Sequence, residues 1–151
     1  MNTVDKQNLV SLARVIAGEF GLPASVVCGI CEQESSWNPD ASRYEHGFYI
    51  RYIESSELDG IVSPYEAKDL STSWGLMQIM GETARELGYT GPFPFESPSE
   101  GLRWGCEKYS ECLKDSRGDE LTALLHYNGG ANKDYPGQVL AKAAFYRGEV
   151  V

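Results

Sequence analysis

Glu32 and Glu34 stand in the stretch CEQESSWNPD, Cys31 to Asp40, which closes an apolar run and then breaks at Asn38-Pro39. A helix C-terminus carries partial negative charge and disfavours carboxylates, and burial disfavours them further. A carboxyl held there keeps its proton toward neutral pH and is suited to general acid work. Two residues along a helix turn a side chain by about 200 degrees, so the two glutamates cannot share one small site. Two further stretches combine polar groups with glycine: SWGLMQIM from Ser73, with the amide of Gln78, and HYNGG from His126, with the hydroxyl of Tyr127 and the amide of Asn128. By local sequence alone, the glutamates also read as ordinary solvated helix-end residues, and Leu76 and Ile79 as core.

The elements that must position these residues are mostly helical. Apolar residues at Leu9, Leu12, Ala13, Ile16, Ala17 and Phe20 recur at three and four residues and predict a helix from Thr3 to Phe20, stopped by Gly21. Pro23 suits the first turn of a second helix, PASVVCGICEQESS, which is apolar all round until Glu32 and so is expected to be buried. Residues 38 to 60 show no clean period and read as an irregular excursion. Pro64 to Leu70 reads as a short helix, and STSWGLMQIM as a loop entering a helix that ends at Gly88. GPFPFESPSEG reads as a rigid connector, with Ser97 and Glu100 as a capping box for a helix over 98 to 115 whose inner face carries Leu102, Cys106, Tyr109 and Leu113. Asp119 is expected to cap ELTALLHY, and a last amphipathic helix comes after Pro136. No strand pattern or internal repeat is legible.

The chain has 151 residues, 42% of them hydrophobic, which bounds it to one globular domain and excludes a disordered reading. A formal charge of -9 disfavours a nucleic-acid partner and nonspecific attraction to wall phosphates. The amino terminus has no apolar run of signal-peptide length, and no stretch is apolar enough to span a membrane. Cys28 and Cys31 share the two-residue spacing of zinc and redox motifs, but Cys106 and Cys112 do not. Inside an apolar helix the first pair reads as buried thiols ahead of a disulfide or a metal site.

In order and spacing, ESSWNP at Glu34, SWGLMQIM at Ser73 and HYNGG at His126 resemble the signature motifs of the soluble lytic transglycosylases, in the lysozyme superfamily with goose-type lysozyme as a relative. The resemblance covers about residues 26 to 146. It implies a single-domain, α-helical lysozyme-like fold with a small β-hairpin in the excursion. It selects Glu34 as the catalytic acid, immediately before Ser35. Around it, Ser35, Ser73, Met77, Gln78, Tyr127, Asn128 and Tyr135 are the residues expected to bind substrate or shape the groove. Met77 would supply an apolar wall, Gly75 a close approach to sugar, Gln78 an amide for hydroxyl or N-acetyl groups, and Tyr127 a hydroxyl to orient the Glu34 carboxyl.

The resemblance implies cleavage of the β-1,4 bond between N-acetylmuramic acid and N-acetylglucosamine in peptidoglycan, without metal or organic cofactor. Glu34 would protonate the leaving oxygen and then, as base, take the proton of the C6 hydroxyl, which closes on C1 to give a 1,6-anhydro product. A hydrolytic muramidase instead needs a second carboxylate or a positioned water, for which Glu45 and Glu82 are the candidates. Goose-type enzymes place an acid soon after the GLMQ segment, where Met80 stands here, and that departure favours the transglycosylase. The family's serine is matched only out of register, by Ser42, and Arg43 takes its place. A wall-binding virion module that has lost the chemistry is the third reading. The small size is similar to phage lytic enzymes, so a monomer is expected, delivered through a holin or with the virion and acting at the cell wall.

Overall fold

The computed structural model describes residues 3 to 147. The two amino-terminal helices are α1 (Thr3–Glu19) and α2 (Ala24–Ser35), the second with Val26 to Cys31 buried, as its apolar composition predicts. The carboxy-terminal half is α7 (Pro98–Asp115), α8 (Glu120–Tyr127) and α9 (Tyr135–Arg147). These five helices enclose the main core, which includes Ile16, Ile30, Trp37, Leu102, Tyr109, Leu124 and Val139. The interface between α2 and α9 is tight because Gly29 carries no side chain: a Cβ there would lie 2.7 Å from the Val139 carbonyl oxygen.

Between these halves the chain forms β1 (Ser42–Tyr44), a helical run, α5 (Pro64–Leu70), β2 (Thr72–Trp74), β3 (Ile79–Met80) and α6 (Gly81–Leu87). The helical run is α3 (His46–Phe48), a π-helical turn (Tyr49–Ile53) and α4 (Glu54–Leu58). The strands form one antiparallel sheet in the order β1-β2-β3. Strands that left no legible pattern in the sequence thus supply the small hairpin that the resemblance implies, but at another position: it is β2 and β3, around residues 75 to 78, with the excursion contributing only the edge strand β1. Strands of two and three residues are too short to display alternation in sequence.

The sheet register sets which side chains face together. Arg43 pairs with Ser73, and Ser73 with Met80, so these three form one row across the sheet. The neighbouring row is Ser42, Trp74 and Ile79. Pleating sends it to the opposite face, where Trp74 stacks on Phe93 with ring centroids 5.4 Å apart and Ile79 joins a small core with Ala84 and Tyr89. The connector after α6 is therefore an aromatic pack around Phe93, Phe95 and Trp104.

Local signals at the helix ends are partly as expected. Ser97 Oγ accepts from the Glu100 N–H at 3.2 Å, but the Glu100 carboxylate accepts from Trp104 Nε1 at 3.1 Å. Asp119 occupies the N-cap position of α8, yet its carboxylate accepts from the Thr122 hydroxyl and makes no side-chain bond to the helix backbone. None of the four cysteines forms a disulfide, and Cys28, Cys31 and Cys106 are buried. Among the described residues, no helix is long and apolar enough to cross a membrane.

Candidate active site

The last turn of α2 carries Glu34, and the way that turn ends determines where the carboxyl sits. Ser36 and Trp37 both take positive φ, 50° and 64°, a strained conformation for two consecutive residues with side chains. The tight stop is held by the Ser36 N–H on the Glu32 carbonyl at 3.0 Å, and Ser35 Oγ reaches across to the Leu76 carbonyl oxygen at 2.8 Å. Ser35 thus ties the end of α2 to the β2–β3 turn. Its hydroxyl is occupied by backbone, so it acts on the site through Glu34's position and does not line the cleft.

Glu34 forms part of the wall of a cleft of about 600 Å³, together with the sheet row Arg43, Ser73 and Met80 and with Lys108 and Asn128. Its Oε2 accepts a hydrogen bond of 2.6 Å from the Tyr135 hydroxyl at the start of α9. Burial pushes the Glu34 carboxyl above its ordinary range, against the opposing effects of the Tyr135 bond and of the Lys108 and Arg43 cations. The same burial, with the adjacent carboxylate, pushes the Tyr135 phenol far up, so it remains a donor.

Glu32 faces elsewhere, as the helical turn requires. Its carboxylate accepts from the Tyr146 hydroxyl and lies 3.8 Å from Lys6 Nζ. Trp37 belongs to that same side: its Nε1 donates to the Tyr146 hydroxyl at 3.0 Å, and the ring is in the core.

Several expected roles are redistributed. The hydroxyl on the Glu34 carboxyl is that of Tyr135, while Tyr127 donates to the Met77 carbonyl oxygen at 2.7 Å. Met77 is not a groove wall. Its side chain is fully buried against Gly105, where a Cβ would come within 2.4 Å of its sulfur. Gly75 adopts φ 79° in the turn and faces the Phe95 ring, away from the cleft lining.

Gln78 does line the cleft, but its amide is committed inward. Its nitrogen donates to the Ala41 and Gly75 carbonyls at 3.0 and 2.8 Å, and its oxygen accepts from Ser73 Oγ at 3.0 Å. An amide has two N–H donors, so both are spent, and what remains for a ligand is a lone pair on oxygen. Gln78 and Ser73 therefore brace the β1–β2–β3 corner from inside the cleft wall. Of the two further carboxylates, Glu45 lines the cleft and pairs with Arg43 at 2.9 Å. Glu82, on the first turn of α6, is outside the lining, and burial together with Glu86 raises its carboxyl above the ordinary range.

Lys108 was not singled out by sequence. It stands on a stripe of α7 with Gly101, Gly105 and Cys112, at helical spacing beside the inner face, and that spacing is the signal that could have found it. Its Nζ donates to the Tyr127 carbonyl at 2.8 Å and lies 4.0 Å from the centre of the Tyr127 ring. Among the described residues, no group of three or more His, Cys, Asp or Glu could hold a metal ion.

Fold and site together define a mostly helical protein with a small sheet, in which one half-buried, tyrosine-bonded carboxyl faces a polar cleft. The family model for the transglycosylase SLT domain matches residues 11 to 139, and the chain belongs to that family. A protein named "Transglycosylase" from Enterobacteria phage PRD1 is 30% identical over 132 residues. The match takes in 82% of this chain and 38% of that relative, so the chain spans well under half of the relative's length. No solved structure matches the chain.

Proposed function

We propose that this chain cleaves the β-1,4 bond between N-acetylmuramic acid and N-acetylglucosamine in peptidoglycan as a lytic transglycosylase, with Glu34 as acid and then base. The observation that carries the reading is the Glu34 carboxyl, raised by burial, bonded to Tyr135 and open to the cleft. Family membership and the phage relative's printed name support the reaction class. In the first step the Glu34 O–H gives its proton to the glycosidic oxygen, which leaves with the electron pair of the C1–O bond. In the second, the carboxylate takes the proton of the C6 hydroxyl as that oxygen bonds to C1. The acid is regenerated and no water is consumed.

Met80 supports this outcome over hydrolysis, because a thioether occupies the cleft wall where a goose-type enzyme would present an acid. Glu45 is the observation on the other side: it is the second carboxyl among the described cleft-lining residues, although Arg43 holds it in an ion pair. Mass spectrometry of muropeptides released from purified peptidoglycan separates the two. Products lighter by one water, ~18 Da, than reducing muropeptides and resistant to borohydride are expected, and absent with Glu34→Gln. Reducible N-acetylmuramic acid ends would make water the acceptor and Glu45 its base. Release of nothing by a protein that still pellets with walls would leave a binding module.

A further inference from the structure

We propose that Lys108 is a positioning residue for Glu34: its ammonium, held on the carbonyl and ring of Tyr127 in the cleft wall, stabilises the carboxylate that Glu34 becomes once it has given up its proton. The proposal rests on the reading of Glu34 as acid and then base.

Its geometry is built by two helices. Tyr127 is the last residue of α8, so its carbonyl is among those a helix leaves without an internal partner, and it sits at the negative end of the helix dipole. The Lys108 Nζ satisfies that oxygen at 2.8 Å and rests 4.0 Å from the centre of the ring of the same residue. Both interactions favour the charged amine in a place where burial alone opposes it. The side chain lines the same cleft as Glu34.

Groups on every side of Glu34 act on its charge. Burial disfavours the carboxylate; Tyr135 from α9, Lys108 from α7 and Arg43 from β1 favour it. Cys31, on its own helix, and Tyr127, from α8, stay neutral, because burial raises both and the Glu34 charge adds to that. Arg43 is largely exposed and already paired with Glu45, so solvent and that carboxylate weaken its effect. Lys108 faces Cys112 on its own helix and Glu34 across the cleft, and His126 lines the cleft at the end of α8. The reaction needs Glu34 neutral before bond cleavage and ionised after it. A fixed, partly buried cation lowers the cost of the second state without supplying a proton of its own.

The test compares pH profiles of kcat/KM for release of soluble muropeptides by the unmodified protein, Lys108→Met, Lys108→Arg and Glu34→Gln, with thermal melting of each. Loss of the cation raises the Glu34 pKa. Lys108→Met is therefore expected to release muropeptides more slowly on the plateau below the alkaline limb, while the limb itself moves up and the two profiles converge above it. The ratio of rates at pH 8 and pH 6 then rises on the order of tenfold, and Lys108→Arg retains the original limb. A lower profile with an unmoved limb would mean that Lys108 only supports the fold, and would overturn the proposal. If Lys108→Met does not fold, the Lys108 side chain is titrated by NMR in the unmodified protein and in Glu34→Gln. Loss of the facing carboxylate must shift that titration to lower pH, and an unchanged titration overturns the proposal. Activity retained by Glu34→Gln would sink the reading of Glu34 itself, an outcome distinct from failure of the Lys108 profiles.

Discussion

Replacing Tyr135 by Phe removes one hydroxyl and leaves the ring in its buried position at the start of α9. The hydroxyl donates to Glu34 Oε2 at 2.6 Å, within the range of short hydrogen bonds to an ionised acceptor. Such a bond contributes about 1.5–3 kcal/mol, more when the acceptor is charged than when it is neutral. The carboxyl acquires that charge as the leaving oxygen is protonated, so the loss falls on the transition state. The neutral carboxyl of the ground state loses its weaker bond as well, about 0.5–1.5 kcal/mol, so the difference is roughly 1–1.5 kcal/mol and, at 1.36 kcal/mol per tenfold, kcat is expected to fall by roughly 5- to 13-fold. The same bond favours the Glu34 carboxylate in the resting protein, so its removal raises the Glu34 pKa further and moves the alkaline limb upward. Muropeptide release measured from pH 5 to pH 9 reads both effects. Tyr127→Phe is the contrast, since its hydroxyl serves the Met77 carbonyl and its loss should leave the limb in place. A Tyr135→Phe protein within twofold of the original rate, or with its limb displaced downward, would refute the assignment of this hydroxyl to the carboxyl.

Glu34→Gln is expected to abolish cleavage and to melt higher at pH 7. Burial raises the folded-state pKa of Glu34 above its unfolded value, so its contribution to stability is fully present below the unfolded pKa and is lost as pH rises through the folded one. The melting difference should therefore vanish near pH 4 and grow toward neutrality; a constant difference would contradict the burial effect. Gly105→Ala would bring a Cβ within 2.4 Å of the Met77 sulfur and 2.7 Å of its Cβ, and should cost about 1–3 kcal/mol in urea unfolding. Gln78→Ala removes the side-chain donor from the Ala41 and Gly75 carbonyls, each of which keeps a backbone N–H partner, and should cost about 0.5–1.5 kcal/mol for each hydrogen bond lost, seen as a lower urea midpoint together with slower wall clearing.

The helices were legible because their signals are local. An apolar run after Pro23, glycine stops and a serine before proline each act within a few residues, and the structure places α2, α6 and α7 where those signals stand. The arrival of Glu34 at the end of a buried helix, turned away from Glu32, is a consequence of helical geometry alone. The sheet beyond α2 was not legible. The row Arg43, Ser73 and Met80 exists only because β1 pairs with a strand about thirty residues away, and strands this short carry no readable period.

The amino-acid sequence by itself determined the helical architecture and the three motif stretches, through periodicity and residue type, and the resemblance of those stretches to the family's motifs pointed to Glu34. Only the tertiary structure decided which partner each side chain keeps. It gave the Glu34 carboxyl to Tyr135 and the Met77 carbonyl to Tyr127, turned the Gln78 amide inward, and brought Lys108 to the cleft. The physical reason is that a hydrogen-bonding group states what it can donate or accept, whereas the partner is chosen by packing. Here helices from opposite ends of the chain converge on one carboxyl, with Tyr135 lying 101 residues from Glu34.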